Sequence, residues 1–563
     1  MTPRLLLRGT ALAAATAAAL SAAVSSSSSS SPPPPPPSAA AARAASPPHP
    51  HILFITADDL GYNDLGALNG GLTITPAIDA LRAGGLVLSD YHTFKICSPS
   101  RASVLSGRFP FNVGFYDMSA DDNHELINTT LLPELLRSLG GYATHALGKY
   151  DVGYMVKEAT PTYKGFDDFY GYYQACNADY WFHSSPGPCP YNVSVMDWSD
   201  SVGRTIGPPD RAAINGTYNR NLLSARSRSI VESHDASTPL FMYLAFQNVH
   251  EGCMPTAPKL GLQAPLAKVE LYNTTQLDTY KVMAAMLTEL DDGVADVLAA
   301  LSQRGMLDDT LVVFVSDNGG PLEHSTNAPL RGGKHTFYEG GVRVTAFLAG
   351  GALPAARRGA TWPGLAHASD WYPTLVEGLA GLQIPARTGP MPVDGVNLLP
   401  AMFQGGESPR TEVVHQVNNT FFNEGVQAIR IREMKLIRGP PGDNRTIAWP
   451  QPAAQPVPIG LSGAVVEPGT DHVRSTVLGG VVPGRCAPFC LFNLTSDLGE
   501  THNLAHEPAF AGLIAQMSAR LDAFGVAAPP PGYIWPLPKD FKNATAQRCA
   551  SSSLTGTVQP INL

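Results

Sequence analysis

Three short apolar runs constrain this chain most: His51–Ala57 (HILFITA), Pro239–Phe246 (PLFMYLAF) and Leu311–Val315 (LVVFV), each followed at once by a polar cluster. Apolar runs of this length without alternation suit strands buried on both faces, as in sheets covered by helices. A further segment, YATHALGKYDVG, reads as a strand ending in a loop at Lys149. Helical periodicity fills the intervals. Thr130–Leu139 is stopped by Gly140 and Gly141, and Lys281–Gln303 sets Met286, Leu290, Val294, Val297 and Leu301 on one face before Gly305. Strands alternating with helices predict an α/β domain with a mostly parallel sheet and its site at the strands' carboxyl ends. The pattern persists to about Leu399. Beyond Pro409, short strand-like pieces such as VQAIRIREMKLIRG stand between Pro/Gly-rich loops, with a last helix near Ala509–Phe524. That texture predicts a smaller α+β C-terminal domain.

Hydrophobic residues make up 44% of the 563 and charged residues 15%, enough for a sizeable core. The net charge of −9 argues against nucleic acid or an anionic membrane surface as the main partner. Arg4 and Arg8 precede an Ala/Leu-rich stretch from about Thr10 to Val24, the pattern of a signal peptide, an uncleaved anchor being the alternative. The Ser and Pro runs from Ser25 to Pro37, and the Ala-rich stretch to Pro50, read as a stiff linker. No later segment is apolar enough to predict a membrane span. Sequons at Asn128, Asn192, Asn215, Asn273, Asn418, Asn444, Asn493 and Asn543 suggest a glycoprotein of the secretory pathway, extracellular or in a lysosome-like compartment.

The polar residues after the predicted strands are Asp58, Asp59, Lys149, His250, Asp317 and Asn318, to which Cys97, Arg101 and Lys334 are added. Three acids and an amide suit a hard divalent cation, Ca²⁺ or Mg²⁺, and no CxxC pair suggests a thiolate zinc site. A cation with Arg101 and the two lysines would clamp a tetrahedral anion, and His250 would serve as general acid to a leaving oxygen. Taken singly, Lys334 reads as a solvated charge and His250 as a satisfied histidine; common placement gives them weight. Cys97 opens the stretch CSPSRASVLSGRFP and can be half of a disulfide, a buried small hydrophobe or a nucleophile. The seven cysteines are 97, 176, 189, 253, 486, 490 and 549, so at least one thiol is left over in an oxidising compartment. Cys176 and Cys189 bracket a short aromatic loop and are a candidate pair.

CSPSR followed by ASVLSGR resembles the sulfatase signature, and the likeness extends through ILFITADDLGYNDLG, PTYKGFDDFYGYY, LFMYLAFQNVHEG, VVFVSDNGG, PLRGGKHTFYEGGVR, SDWYPTLV and LFNLTSDLGETHNLA, over about residues 51 to 525. These blocks are most similar to the arylsulfatase B (N-acetylgalactosamine-4-sulfatase) branch of that family. The resemblance implies an alkaline-phosphatase-like α/β fold: a mixed, mostly parallel sheet flanked by helices, with the smaller α+β domain behind it. It divides the chain into signal peptide 1–24, linker 25–50, sulfatase catalytic domain 51–409 and C-terminal domain 410–563. It further implies that a formylglycine-generating enzyme oxidises Cys97 to formylglycine during maturation. One hydroxyl of the hydrated aldehyde attacks sulfur and the other releases sulfate. Asp58, Asp59, Asp317, Asn318 and residue 97 would bind the cation, Ca²⁺ ahead of Mg²⁺. Arg101 and Lys149 would steady the hydrate. His250 and Lys334 would contact the sulfate, one of them protonating the leaving oxygen.

One block departs from the family. Where sulfatases usually read Gly-Lys-Trp-His-x-Gly, this chain reads GKYDVG, so Lys149 is kept and Asp151 replaces a histidine that orients the hydrate. An aspartate accepts a hydrogen bond but brings a negative charge toward bound sulfate. The expected function is hydrolysis of a sulfate ester of a glycosaminoglycan-like glycan or an aryl sulfate. The alternatives are a phosphomonoesterase or phosphonate hydrolase of the same fold, and a catalytically impaired protein that binds sulfated glycans. The Tyr/Trp-rich loop from Tyr170 to Trp181 would form either a sugar-binding wall or part of the core.

Overall fold

In the computed structural model, the described residues are 47–116, 125–175, 177, 179–185, 195–252, 261–272, 278–417, 425–447, 465–466, 470, 472–474, 484 and 486–529. The segments read as signal peptide and most of the linker lie outside them, as do Cys176, Cys189, Cys253, Cys549 and the sequons at Asn192, Asn273, Asn418 and Asn543. The strands that matter below are β1 His51–Ala57, β2 Leu86–Leu88, β3 Tyr91–His92, β4 Ala143–Lys149, β5 Asp168–Tyr172, β6 Ser199–Val202, β7 Leu240–Ala245, β8 Thr310–Ser316, β9 Ala346–Ala349, β10 Ala360–Trp362, β11 Ala366–His367, β12 Glu412–Gln416, β13 Gln427–Ile431, β14 Met434–Arg438 and β15 Phe489–Asn493. The helices that matter below are α1 Cys97–Ser106, α2 Leu132–Gly140, α3 Asn219–Ser233, α4 Asp278–Gln303 and α5 Ala511–Ala527.

Nine strands form one sheet in the order β10-β2-β9-β8-β1-β7-β4-β5-β6. The central pairs β8–β1, β1–β7, β7–β4 and β4–β5 are all parallel, while β9 and β6 are antiparallel to their neighbours. The predicted strands therefore form the middle of the sheet. Their two faces are both covered, which explains their unbroken hydrophobicity. Ile52 and Phe54 of β1 face the core that holds Leu105 of α1 and Leu132, Leu135 and Leu136 of α2. Leu53 and Ile55 face the opposite core, against Met286, Leu290, Val294, Val297 and Leu301 of α4. The five α4 residues expected on one face are all buried. Each fully buried side chain of this kind contributes about 1.5–3 kcal/mol. α2 begins two residues later than expected because Pro133 stands in its first turn, and Gly141, at φ 65°, caps its end.

The second sheet is antiparallel, in the order β12-β13-β14-β15. Val414, Ile429, Leu436 and Leu491 pack against Ile514, Met517 and Leu521 of α5 and against Phe109, Phe111 and Tyr116, which follow α1. The VQAIRIREMKLIRG segment is the β13–β14 hairpin, with Gln427 opposite Arg438 and Ile431 opposite Met434. Buried ion pairs join this sheet to the rest. Lys435 of β14 lies 2.8 Å from Glu339 and 2.9 Å from Glu500, all three side chains buried, and Arg430 of β13 holds Asp90 through two 2.6–2.7 Å contacts. Cys486 and Cys490 form a disulfide, and Cys97 is a free, buried thiol. The described part of the aromatic loop belongs to the core: Tyr172, Tyr173, Tyr180 and Trp181 are buried, with Tyr180 stacked on Tyr218.

Candidate active site

Strand register builds the floor of the site. In the β1–β8 pair, Ala57 is opposite Ser316, so the next residues on each strand, Asp58 and Asp317, emerge side by side. Asp59 and Asn318 follow. Asp59 takes a left-handed backbone (φ 62°), a strain of roughly 1–2 kcal/mol that aspartate tolerates better than most residues. Its N–H donates to Asp317 Oδ1 at 3.2 Å, and Asn318 Nδ2 donates to Asp59 Oδ1 at 2.7 Å. All four residues are buried.

α1 delivers the next groups. Cys97 is its first residue, and Arg101 lies one turn on, so both face the same side. Cys97 Sγ donates to Asp58 Oδ1 at 3.5 Å. The Arg101 guanidinium grips Asp317 Oδ2 through Nε (3.0 Å) and Nη2 (2.7 Å) and donates from Nη1 to the Lys149 carbonyl. Burial pushes the Cys97 thiol well above its ordinary pKa, and nearby Lys149 and Lys334 only partly offset this. An unmodified sulfur here stays protonated and is a weak nucleophile. Burial works against the Arg101 charge, but Asp317 and the other anionic groups around it together outweigh burial and hold the guanidinium charged.

β4 brings Lys149 alongside. Gly148 before it has φ 88°, and a Cβ there would meet the Ala245 carbonyl of β7 at 1.9 Å, so only glycine lets the strand turn its lysine inward. Lys149 Nζ donates to Asp58 Oδ2 at 2.9 Å; burial opposes its charge, but Asp58, Cys97 and Asp151 together outweigh burial and keep the ammonium charged. Asp151, at φ 60°, is also buried and lies 3.6 Å from Lys149 Nζ. It accepts a 2.6 Å hydrogen bond from Ser98, the residue after Cys97. His145, on the same strand, contacts Asp168 instead, away from the cluster.

His250 and Lys334 close the outer side. Lys334 Nζ donates to Asp59 Oδ2 at 2.7 Å and lies 2.9 Å from His250 Nε2. The other ring nitrogen, Nδ1, is 2.6 Å from the Glu251 carbonyl, a bond that fixes the tautomer with its proton on Nδ1. Burial would raise the Asp59 carboxyl, but Lys334 and His250 outweigh it and hold it far below the usual range. Asp317 shifts the other way, raised first by burial and then by Asp58. The side chains of Lys334 and His250 keep 9% and 7% exposure against none for Lys149, so this pair is the solvent-facing edge.

All nine predicted residues, and Asp151, thus converge. Asp58, Asp59, Asp317 and Asp151 are four carboxylates, set against the three cations Arg101, Lys149 and Lys334. One donor atom each from Asp58, Asp59, Cys97 and His250 lie within 4.8 Å of one another. Asn318 Oδ1 is buried and accepts no hydrogen bond, an orphaned oxygen beside three carboxylates. Oxygen donors of this kind fit a hard dication. Ser98 is the site residue that sequence reasoning missed. Its position next to Cys97 was visible; its pairing with a residue 53 positions away was not.

Comparisons with known proteins show the family of the chain. The sulfatase family model matches residues 50–382. Arylsulfatase J of Mus musculus is 31% identical over 509 residues, covering 86% of this chain and 77% of that protein. N-acetylgalactosamine-6-sulfatase of Homo sapiens is 29% identical over 388 residues, covering 64% and 67%. These relatives support the family rather than the single branch suggested by the sequence blocks. Among solved structures, Ps i-CgsB in complex with k-i-k-neocarrahexaose has a TM-score of 0.63 at 22% identity over 90% of this chain and 99% of that one, a likeness of fold.

Proposed function

The chain belongs to the sulfatase family and is a sulfuric ester hydrolase; from that premise we propose that it cleaves the sulfate ester of a glycan, using Cys97 converted to formylglycine. The observation that carries this reading is the free Cys97 at the start of α1, buried against Asp58 and within the charge field of Lys149 and Lys334. Formylglycine, as its hydrate, would supply the attacking hydroxyl and the one that releases sulfate. Asp58, Asp59, Asp317 and Asn318 would hold a cation, Ca²⁺ in preference to Mg²⁺, whose charge polarises the sulfate.

The chain's own side chains do the rest. Arg101 and Lys149, both buried and held charged, fix the position of residue 97 and its first turn. Arg101 keeps Asp317 oriented by two hydrogen bonds, so that carboxylate is placed to accept a proton from the attacking group. Lys334, held charged by Asp59, binds the sulfate oxygens at the open edge. His250 is the general acid. Its Nδ1 contact with the Glu251 carbonyl aims Nε2 at that edge, where Nε2 must carry a proton of its own to act, beside Lys334 Nζ at 2.9 Å and Asp59 Oδ2 at 3.5 Å. An imidazolium releases its proton to an alkoxide more readily than an ammonium does. Asp151 holds Ser98 and, through it, the start of α1.

A sulfated saccharide is the substrate class we favour. The named relative N-acetylgalactosamine-6-sulfatase and the saccharide in the Ps i-CgsB complex support it by analogy. Passage through the secretory pathway is supported by the Cys486–Cys490 disulfide and by the exposure of sequon residues Asn128 and Asn215. No helix among the described residues is long and apolar enough to cross a membrane. We place the division between catalytic and C-terminal domains near residue 409, just before β12. The deciding test is mass spectrometry of the peptide carrying residue 97, from protein made in a eukaryotic secretory host. Loss of sulfur with gain of an aldehyde is expected. An intact thiol, in a host that converts a control sulfatase, would leave a protein that binds sulfated glycans without turning them over.

A further inference from the structure

Beside the open edge lies a cavity of roughly 400 Å³ that shares Lys334 with the site. That volume is within the range of small-ligand pockets. Apart from Gly484, its walls come from two separate parts of the chain. One is the loop after β8, with Leu322, Glu323 and His335; the other is the loop after β14, with Pro440 and Asp443. Backbone hydrogen bonds lock these parts together: Phe337 N–H to the Pro441 carbonyl at 2.8 Å, and Gly332 N–H to the Arg445 carbonyl at 2.8 Å. The pocket is therefore built into the fold at the seam with the second sheet.

Its charges are uneven. Asp443 is gripped by Arg445 through contacts of 2.7–3.1 Å, so its charge is compensated. Lys334 is committed to Asp59 and, on the reading above, to the sulfate. Glu323 has no ion-pair or hydrogen-bond partner among the described residues and is only half-buried. The pocket thus offers an apolar wall of Leu322 and Pro440 and one uncompensated carboxylate. An apolar wall suits the C–H face of a sugar ring, and a carboxylate accepts hydrogen bonds from neighbouring hydroxyls while repelling a second anion.

We infer that this cavity receives the alcohol portion of the substrate and selects a sugar whose groups beside the sulfate are neutral, with Glu323 as the specificity-determining residue. The inference rests on the sulfatase reading. It rejects rings bearing a second sulfate and rings joined closely to a uronate.

The test compares kcat/KM for a panel of hexose and N-acetylhexosamine monosulfates with the same sugars carrying a second sulfate or joined to a uronate, with nitrocatechol sulfate as a control ester. For the best monosulfate, the added anion is expected to lower kcat/KM on the order of tenfold, the scale of one poorly screened like-charge contact. Glu323→Gln should narrow that ratio to within about threefold, and Glu323→Lys should invert it. A wild-type ratio near one, or one favouring the polyanion, in an enzyme that turns over nitrocatechol sulfate overturns the inference and leaves the sulfatase reading standing. A ratio untouched by both variants removes Glu323 from the role. No turnover of any ester, by protein shown to carry formylglycine, overturns both readings together.

Discussion

Ser98 and Asp151 are joined by a 2.6 Å hydrogen bond inside the protein, although one lies in the first turn of α1 and the other lies beyond the end of β4. The bond ties the residue beside Cys97 to the position where this chain departs from its family. Asp151 therefore has a partner of its own and is not merely a lost histidine. Replacing Asp151 with histidine exchanges a carboxylate for a group that titrates near neutrality. The expected outcome is a changed pH–rate profile between about pH 5 and 8. An unchanged profile and rate would show that the position takes no part in turnover. Ser98→Ala leaves the buried carboxylate short of a donor and should cost about 1–3 kcal/mol in chemical denaturation.

His250→Ala removes the proposed acid. The loss in kcat should follow the leaving group: about 10²–10⁴-fold for a sugar sulfate, whose alkoxide needs a proton, and far less for nitrocatechol sulfate. Equal losses on both esters would assign His250 to sulfate binding alone.

Chelation tests the oxygen-donor cluster. Without a bound dication, Asp58, Asp59 and Asp317 remain neutralised by Arg101, Lys149 and Lys334, so the fold is expected to survive while activity falls. Adding the ion back at about 100 times its Kd should stabilise the protein by about 2.7 kcal/mol, read as a rise in Tm. Ca²⁺ should restore activity at lower concentration than Mg²⁺. Asn318→Ala should raise the Ca²⁺ concentration required; an unaltered requirement removes Asn318 from the ligand set.

Asp64 supplies a pH signature away from the reacting groups. Its carboxylate is buried and accepts the N–H groups of Gly61 and Thr326, each at 2.8 Å. Burial outweighs these bonds and raises its pKa from 3.8 to about 6. A carboxyl raised on folding favours the native state below the unfolded value, and that contribution is lost as pH rises through the folded value. Stability should therefore fall from about pH 4 to pH 6, by about 3 kcal/mol from this group. Asp64→Asn should flatten that segment of the curve in urea titrations at successive pH values. A slope that persists unchanged would assign it to other groups.

The floor of the site was legible because it follows from strand ends. A run such as HILFITA fixes where a buried strand stops, and parallel register then sets Asp58 beside Asp317. The α4 face was legible for the same reason, since burial on one side leaves a helical period in the sequence. Strand direction was not. AFLA of β9 is a short apolar run that carries no sign of its antiparallel direction. The aromatic loop was equally ambiguous, since tyrosines and tryptophans serve both cores and sugar sites; here Tyr172, Tyr180 and Trp181 are buried. Pairs such as Ser98–Asp151 and Lys435–Glu339 join distant segments, and no local pattern announces them.

Lys435 holds two buried carboxylates, so Lys435→Ala should leave Glu500 without its cation and Glu339 with only Arg343 at 3.5 Å, and cost about 3–5 kcal/mol, measured by denaturant unfolding. A loss below about 1 kcal/mol would show that water or another cation takes its place.

That same bridge bears on how such enzymes can be recombined. Glu339 lies five residues after Lys334, within the region matched by the family model, whereas Lys435 lies on β14, beyond it. A chimaera that grafts a foreign C-terminal sheet onto this catalytic half would leave buried Glu339 with Arg343 at 3.5 Å but without the closer Lys435, unless the donor carries a lysine at the matching β14 position. The two halves therefore work as a matched set, and a crossover point chosen at the end of the family match would cut through the support of the loop that carries Lys334.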